Sequence, residues 1–250
     1  MRILVTNDDG IGAEGLVRLV RMATRLGETV VAAPDCQYSG CSHSVTFRHD
    51  IPVRSYVMPR VQVRAYSVSG TPADCVRIAM DALFIPRPDV TFVGINHGLN
   101  CGTDLQYSGT LGAGLESLLY GVPAICFSED LGGSGEVSDY YMRDIADEIL
   151  RCNIAPPFLY NVNFPAVSLP ECRGILRDRI PASHGCYEDH YDIEEIAPGK
   201  YNTRLLAKRV DRSEAGSDLQ AVLDGWISIG TLRSVGNSGL MWESEASLPF

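Results

Sequence analysis

Two adjacent acids, Asp8 and Asp9, stand near the start of the chain, separated from the apolar run at residues 3–5 by only two residues. Three glycines follow within the next six positions. An apolar run, a polar turn and a glycine-rich stretch are typical of a buried parallel strand that leads into a helix. Ligands bind at the carboxyl end of such strands, and paired carboxylates there can hold a cation beside a phosphate. The pattern therefore predicts a divalent-metal site.

The same stretch permits a second interpretation, because residues 10–15 fit the G-x-G-x-x-G pattern of dinucleotide-binding folds. Asp35 lies about twenty residues further on, where such folds place an acid for the ribose. Against this, Asp8 and Asp9 would repel a pyrophosphate where the helix amino end should attract it. The residues favour the metal site, and the dinucleotide site stays open as the alternative.

A second polar segment, residues 34–44, follows the apolar run at 29–33, which predicts another buried strand. The segment is long and rich in small and hydroxyl side chains, so its backbone N–H groups and hydroxyls suit a ligand. Since the two strands are expected to be neighbours, the segment lies over the same sheet edge as the paired acids. An ordinary polar loop is the alternative.

A third polar segment follows the apolar run at 90–95 and begins with Asn96, an uncharged oxygen ligand at the same predicted edge. Ser108, Gly109 and Thr110 then stand at the start of a predicted helix that ends near residue 120. Free N–H groups and the dipole at such an amino end bind phosphate oxygens. Ser108 as a plain helix cap is the alternative, and both roles are compatible.

The elements that must position these residues alternate between strand and helix from residue 1 to 165. This alternation predicts a doubly wound, largely parallel α/β sheet. Further strands are expected at 124–128 and 158–163, and a helix at 140–150 after a Gly/Ser-rich acidic loop. Period-two alternation within 45–68 predicts an edge hairpin or an insertion rather than core.

The character of the chain changes after residue 165. Residues 168–208 are polar and lack a helical period, as expected of an extended arm, whereas apolar alternation returns at 218–232. Met241 and Trp242 lie in a short tail. Weakly self-packed segments often gain burial from a partner subunit, so we expect a homo-oligomer. We therefore predict a catalytic core at 1–165 and an extended arm with an oligomerisation segment at 166–250, within one structural unit.

Composition narrows the classes of partner. Of the 250 residues, 45% are hydrophobic and 21% charged, so the chain can bury a full core. A net charge of −10 opposes anionic partners, so polymeric nucleic acid is not expected, and a small phosphate needs a local cation. No stretch resembles a membrane span or a signal peptide, so we expect no membrane partner and a cytoplasmic protein. The eight cysteines contain no C-x-x-C pair and are expected to be buried free thiols.

Five spaced motifs resemble the SurE (survival protein E) nucleotidase family. The resemblance runs in order from residue 1 to about 128, continues at 161–165 and returns weakly at 216–218. Ordered motifs of this kind are far more specific than a single glycine pattern. The motifs are Asn7–Gly10, Ala33–Asp35 with Ser39–Ser44, Gly70–Val76, Gly94–Asp104 and Tyr107–Thr110.

The resemblance implies a Rossmann-like core in a three-layer α/β/α arrangement, with an extended β-hairpin arm. It also implies a swapped carboxyl-terminal segment that joins homodimers or homotetramers. The implied activity is metal-dependent hydrolysis of nucleoside 5′-monophosphates, with 3′-monophosphates as a further substrate. The metal ligands of the family map onto Asp8, Asp9, Ser39 and Asn96.

The sequence departs from the family pattern at three places, none of which is a ligand position. Cys36 replaces the arginine expected after Asp35, Ser217 stands where threonine is usual, and the usual proline is missing before Leu232. These departures concern substrate preference and the geometry of the swapped tail.

The implied ligands form a hard-oxygen set, which favours one Mg²⁺ or Mn²⁺ ion, or Ca²⁺ in crystals, over zinc. Our hypothesis is that the ion activates a water that attacks phosphorus in line. Asp9 orients or deprotonates this water, while Asp8 is the firmer anchor. Phosphate is held by backbone and hydroxyl groups of Gly40, Ser42, Ser108, Gly109 and Thr110, together with Ser39. His43 is a candidate acid for the leaving alkoxide, although a loop histidine is more often structural.

Three alternatives come from other classes of protein. The first is the NAD-binding oxidoreductase, and the second is a non-catalytic nucleotide sensor that uses the same loops. The third is a metal-dependent phosphatase acting on another phosphoester, such as polyphosphate or a sugar phosphate. No base-recognition residue can be named from the sequence, so the third alternative is the hardest to separate from nucleotide hydrolysis.

Overall fold

The computed structural model describes residues 1–83, 86–152 and 158–233. The helices are α1 (Glu14–Ala23), α2 (Pro72–Ile78), α3 (Gly109–Leu119), α4 (Glu136–Arg151) and α5 (Asp218–Leu223). The strands are β1 (Arg2–Thr6), β2 (Glu28–Pro34), β3 (Val53–Ser55), β4 (Arg64–Val68), β5 (Val90–His97), β6 (Ala124–Glu129), β7 (Phe158–Phe164), β8 (Ile175–Leu176), β9 (Tyr187–Ala197), β10 (Lys200–Arg209) and β11 (Ile227–Arg233).

One central sheet contains nine of the described strands in the order β3-β4-β2-β1-β5-β6-β7-β11-β8. The six strands from β4 to β7 in this order are parallel neighbours, whereas β3 and β11 are antiparallel to β4 and β7. The chain starts in the middle at β1, moves outward to β2 and then returns to β5 on the other side. Such a reversal creates the crevice where open α/β sheets bind ligands. The predicted doubly wound, mainly parallel sheet is confirmed.

Helices cover both faces of the sheet. One core cluster joins α1 and α4 to one face through buried Leu, Val, Ile and Phe side chains. A second cluster joins α2 and α3 to the opposite face. The apolar positions expected on α1, among them Leu16 and Leu19, are fully buried. The architecture is therefore the three-layer arrangement expected from the sequence.

The segment at 45–68 contains the predicted hairpin at the edge of the sheet, but the expectation that it lies outside the core is wrong. β4 pairs in parallel with β2 in the central sheet, and Ala65 and Val68 are buried. β3 is the edge strand, antiparallel to β4. The alternating pattern correctly predicted strands in this segment. It could not predict that β4 pairs with β2, because this contact joins residues that are distant in the sequence.

Two local boundaries also differ from the predictions. α4 begins at Glu136 instead of near residue 140, directly after Gly135 with φ of 79°. The acidic Gly/Ser-rich loop is correspondingly shorter. The expectation of buried thiols is wrong for Cys36 and Cys152, which are exposed, although all eight cysteines are free.

The predicted arm is a two-stranded antiparallel hairpin formed by β9 and β10, and every residue of both strands is exposed. β11 instead joins the central sheet beside β7, and β8 pairs with the other side of β11. The division at residue 165 stays a prediction. Met241 and Trp242 lie outside the described residues, and so does the end of the proposed swapped segment. No helix in the described ranges is long and apolar enough to cross a membrane.

Candidate functional site

The segments that follow β1, β2 and β5 meet at one edge of the sheet. The backbone N–H of Tyr38 donates to the carbonyl of Asp8 at 2.7 Å. The backbone N–H of His97 donates to Oδ2 of Asp9 at 3.0 Å. The loop after β2 and the end of β5 therefore both contact the paired acids. This edge lies at the reversal of strand order, where the fold places ligands.

Asp8 is buried against the first turn of α3. The Thr110 hydroxyl donates to Oδ1 of Asp8. A Cβ added to Gly109 would lie 3.0 Å from Cβ of Asp8 and 3.1 Å from its Oδ2. Burial raises the pKa of Asp8 to about 6, with a smaller contribution from the negative charge of Asp9. The carboxyl group thus joins the end of β1 to the helix that was predicted to hold phosphate.

Asp9 and Ser39 face the same amide group. Nε2 of Gln37 lies 2.9 Å from Oγ of Ser39 and 3.4 Å from Oδ1 of Asp9. The two oxygens therefore converge on one polar position next to the acids. Gln37 could not be predicted as a site residue, because nothing in its spacing marks it as a bridge between the two loops.

Asn96 stands at the end of β5 and is held by its own turn. Its Nδ2 donates to the carbonyl of Gly98 at 2.8 Å, which leaves Oδ1 as the remaining polar atom of the side chain. The N–H of Gly98 in turn donates to the carbonyl of Glu129 on β6. Oδ1 of Asn96, the predicted ligand atom, therefore lies at the end of β5, next to a turn that is hydrogen-bonded to β6.

The donor set fits a divalent cation. Among the described residues, no basic side chain makes an ion pair with Asp8 or Asp9. A buried carboxyl beside a second carboxyl is costly without a compensating positive charge. Carboxylate, hydroxyl and amide oxygens are ligands of hard cations. Within the described ranges, no group of three or more His, Cys, Asp or Glu residues offers a metal site. The shared ligation by these four side chains stays a prediction.

The amino end of α3 is the predicted phosphate site. Oγ of Ser108 accepts from the N–H of Leu111 at 3.1 Å, so the alternative of a helix cap is realised. The N–H groups of Gly109 and Thr110 are in the first turn, where helix N–H groups lack intrahelical partners. The Thr110 hydroxyl was expected to contact phosphate, but in the structure it donates to Asp8. A phosphate role for these three residues stays a prediction.

The loop after β2 forms the second part of the predicted phosphate site. Gly40 has φ of 75°, and an added Cβ would meet no atom within 4 Å, so its backbone borders open space. Ser42 directs its N–H to the carbonyl of Tyr107 at 2.9 Å and its hydroxyl to the carbonyl of Gln106. Ser42 therefore fastens the loop to the turn before α3, and its phosphate contact stays a prediction.

His43 lies further along α3. Its Nε2 is 2.7 Å from Oε2 of Glu116, which is buried. Glu116 follows Gly109 by seven residues, a distance of about 10 Å along a helix. This contact favours the structural interpretation of His43 over the role of an acid at the phosphate.

The asparagines after β5 and on β7 form a network that sequence reasoning missed. Nδ2 of Asn161 and Nδ2 of Asn163 donate to the carbonyl of Asn100 at 2.8 and 3.0 Å. The N–H of Asn100 donates to Oδ1 of Asn163, and its Nδ2 donates to Oγ of Ser128. These bonds hold the loop after β5, which carries Asn100, against β6 and β7. The paired asparagines of the motif at 161–165 were the available signal.

Two contacts bear on the dinucleotide alternative. Asp35 accepts a hydrogen bond from the Ser69 hydroxyl at 2.6 Å, so the acid after β2 already has a partner. A Cβ added to Gly15 would lie 2.2 Å from the carbonyl oxygen of Ile95, which explains this glycine by the packing of α1 on β5. Gly15 and Asp35 are therefore both explained without a dinucleotide.

The fold and this edge define a Rossmann-like α/β protein with a polar site where the strand order reverses. The family model of survival protein SurE matches residues 3–184. The chain therefore belongs to the SurE family.

Individual relatives agree over nearly the whole chain. A protein named 5′-nucleotidase SurE from Gemmatimonas aurantiaca is 39% identical over 98% of this chain and 100% of its own length. One named 5′-nucleotidase SurE 1 from Thermus thermophilus is 39% identical over 92% of this chain and 90% of its own. The crystal structure of the SurE protein from Aquifex aeolicus matches with a TM-score of 0.80 and 32% identity, and 93% of each chain is covered.

Proposed function

We propose that this chain is a metal-dependent nucleotidase that hydrolyses nucleoside 5′-monophosphates to nucleoside and phosphate at the edge formed by β1, β2, β5 and α3. The relatives named 5′-nucleotidase support the substrate class. The observation that carries the proposal is the contact of Asp8 with the first turn of α3 through Thr110. It joins a carboxylate able to hold a cation to a helix end able to bind phosphate. Nucleoside 3′-monophosphates are a further proposed substrate.

In this proposal, Asp8, Asp9, Ser39 and Asn96 hold one divalent ion, Mg²⁺ or Mn²⁺, and the same oxygens accept Ca²⁺. When bound, such an ion neutralises phosphate charge and lowers the pKa of a coordinated water. Asp8 anchors the site because it is buried and held by Thr110. Asp9, which is only half-buried, receives the proton of the attacking water.

The chain's own N–H groups complete the reaction geometry. Gly109 and Thr110 donate to the phosphate oxygens from the amino end of α3, and Ser39 and Gly40 line the opposite side. Water attacks phosphorus opposite the ester oxygen, the P–O bond to the nucleoside breaks, and the alkoxide takes a proton from solvent. His43 does not supply this proton in the proposal, because its Nε2 contacts the Glu116 carboxylate.

The test is a phosphate-release screen over nucleoside monophosphates, sugar phosphates and polyphosphate, with and without Mn²⁺ or Mg²⁺. We expect release from nucleoside monophosphates, loss of release in EDTA, and recovery when the metal is added in excess. Full activity in EDTA would contradict the metal proposal. Binding of AMP without phosphate release would instead identify a nucleotide sensor, and preference for another phosphoester would reassign the substrate.

A further inference from the structure

A groove of about 220 Å³ lies between α1 and α4 on the outer side of one helical layer. Arginine side chains dominate its wall, and buried Met22 and Met142 also line it. None of the lining residues belongs to the candidate metal or phosphate site. The arginines are Arg18 and Arg21 of α1, Arg25 after its end, and Arg143 of α4.

The charge of Arg18 is already compensated. Its Nη1 lies 2.8 and 3.0 Å from the two carboxylate oxygens of Glu129, and its Nε lies 2.8 Å from Oδ1 of Asp139. Its Nη2 donates to the carbonyl of Gly135 at 3.0 Å. Asp139 is the single acid among the described lining residues, and Arg18 occupies it. Glu129 and Asp139 therefore neutralise the positive charge of Arg18, which does not add to the net positive charge of the groove.

The other three arginines have little or no compensation. Arg21 and Arg25 are exposed and make no ion pair with any described residue. Arg143 approaches Asp147 only at 3.9 Å, between two partly exposed side chains. A pair of this kind contributes little. The groove therefore concentrates positive charge on a chain whose net charge is −10.

The chemistry of the groove selects its ligand. Guanidinium groups bind phosphate oxygens in a planar, bidentate manner and repel cations. The small volume suits one or two phosphoryl groups better than an acidic peptide, which needs an extended surface. We propose that this α1–α4 groove is a second anion site, which binds a small phosphate-type anion through Arg21, Arg25 and Arg143. This proposal is independent of the proposed nucleotidase activity.

The experiment is calorimetric titration of the full chain with pyrophosphate, in EDTA and at low ionic strength. The test variant is Arg21→Ala/Arg25→Ala. The matched control is Arg54→Ala/Arg60→Ala, which removes the same charge from the exposed β3 strand and the turn after it. Loss of charge-assisted hydrogen bonds should weaken binding by about tenfold or more in the test variant, whereas the control should stay near the wild-type affinity. Arg21→Lys/Arg25→Lys should be intermediate, because charge remains and the bidentate geometry is lost.

Equal affinity in the wild type and the test variant would overturn the proposal. Loss of binding in Ser108→Ala with full binding in the test variant would also overturn it, because the anion would then occupy the end of α3. A glutamate-rich peptide that binds the groove more tightly than pyrophosphate would overturn the assignment of the ligand. Since all four substituted arginines are exposed, thermal unfolding should remain unchanged and serves as the check on folding.

Discussion

The carboxyl group of Asp8 lies where the segment after β1 meets the first turn of α3. Some of the contacts around it could be predicted from the sequence, and others could not. The apolar runs predicted polar residues at the carboxyl ends of buried strands, and the structure has the paired acids just after β1 and Asn96 at the end of β5. Their role as metal ligands stays a prediction. The hydroxyl of Thr110 was expected on phosphate and instead contacts Asp8. Which polar atom receives the short Thr110 hydroxyl depends on the distance between two segments that are 102 residues apart in the sequence. The contact of Gln37 with Asp9 likewise joins two segments, 28 residues apart.

Asp9→Asn tests the proposed chemistry at a single atom. The remaining amide oxygen can still accept a hydrogen bond from His97, so the fold should persist. Loss of the carboxylate should lower kcat by about 10²- to 10⁴-fold, as for a removed general base. Phosphate release with AMP and Mn²⁺ measures the effect. Asp89→Asn removes a charge just before β5, at the amino ends of the parallel strands and away from the candidate site, and should leave kcat unchanged. A near-wild-type rate for Asp9→Asn would remove Asp9 from the mechanism.

Asp8 should also leave a signature in the stability of the metal-free protein. Burial raises its folded-state pKa from the ordinary 3.8 to about 6, so the folded chain holds the proton more tightly than the unfolded chain. Its contribution to the free energy of unfolding is therefore present at low pH and is lost as the pH rises through about 6, by about 3 kcal/mol in all. Urea unfolding in EDTA should reveal this fall relative to Asp8→Asn. A difference that does not vary with pH would contradict it.

At the scale of elements, the strands and helices with strong local patterns were predictable. β1, β2, β5 and β6 are continuous apolar runs, because parallel strands in this sheet are buried on both faces. The site is assembled by contacts between elements, however, and these have no local pattern. The parallel pairing of β4 with β2 is one example, and the close approach of α3 to Asp8 at Gly109 is another.

Gly109→Ala tests the approach of α3 to the acids. The added Cβ would lie 2.8 Å from Sγ of Cys41 and 3.0 Å from Cβ of Asp8, so one of these groups must move. We expect a loss of about 1–3 kcal/mol in the free energy of unfolding and a weaker Mn²⁺-dependent activity. Denaturant unfolding and phosphate release measure the two effects.

Gly12→Ala is the control for this substitution. It adds the same methyl group near the site, where the nearest atom, Oη of Tyr56, is 3.8 Å away. Both stability and activity should therefore stay close to the wild-type values. Equal behaviour of the two alanine variants would refute the packing argument.

At the scale of the whole molecule, the polar composition predicted an extended arm, and the family resemblance predicted that this arm is a β-hairpin, which the pairing of β9 with β10 confirms. Its two strands carry large apolar side chains that remain exposed, among them Tyr191, Ile193 and Leu205, which are 61%, 67% and 48% exposed. Exposed apolar surface of this kind marks an interaction site. The arm therefore supports the prediction of a homodimer or homotetramer.

Light scattering at micromolar concentration tests this prediction. Tyr187 and Arg209 are register partners, so residues 188–208 can be replaced by an Asn-Gly turn that closes the base of the hairpin. We expect the wild type to be larger than a monomer and the shortened chain to have a lower mass. Tyr191→Ser/Leu205→Ser changes one cross-strand pair and should weaken association without removing the arm. A monomeric wild type, or an unchanged mass after shortening, would contradict the prediction.

The position of β11 between β7 and β8 has a consequence for synthesis on the ribosome. β7 is complete at Phe164, but its antiparallel neighbour begins only at Ile227, roughly sixty residues later. At typical rates of translation this interval lasts about 3 to 13 seconds, during which the backbone of β7 has no partner on that side. We expect nascent chains that stall within this interval to present an unpaired strand edge, which is a template for aggregation or chaperone binding.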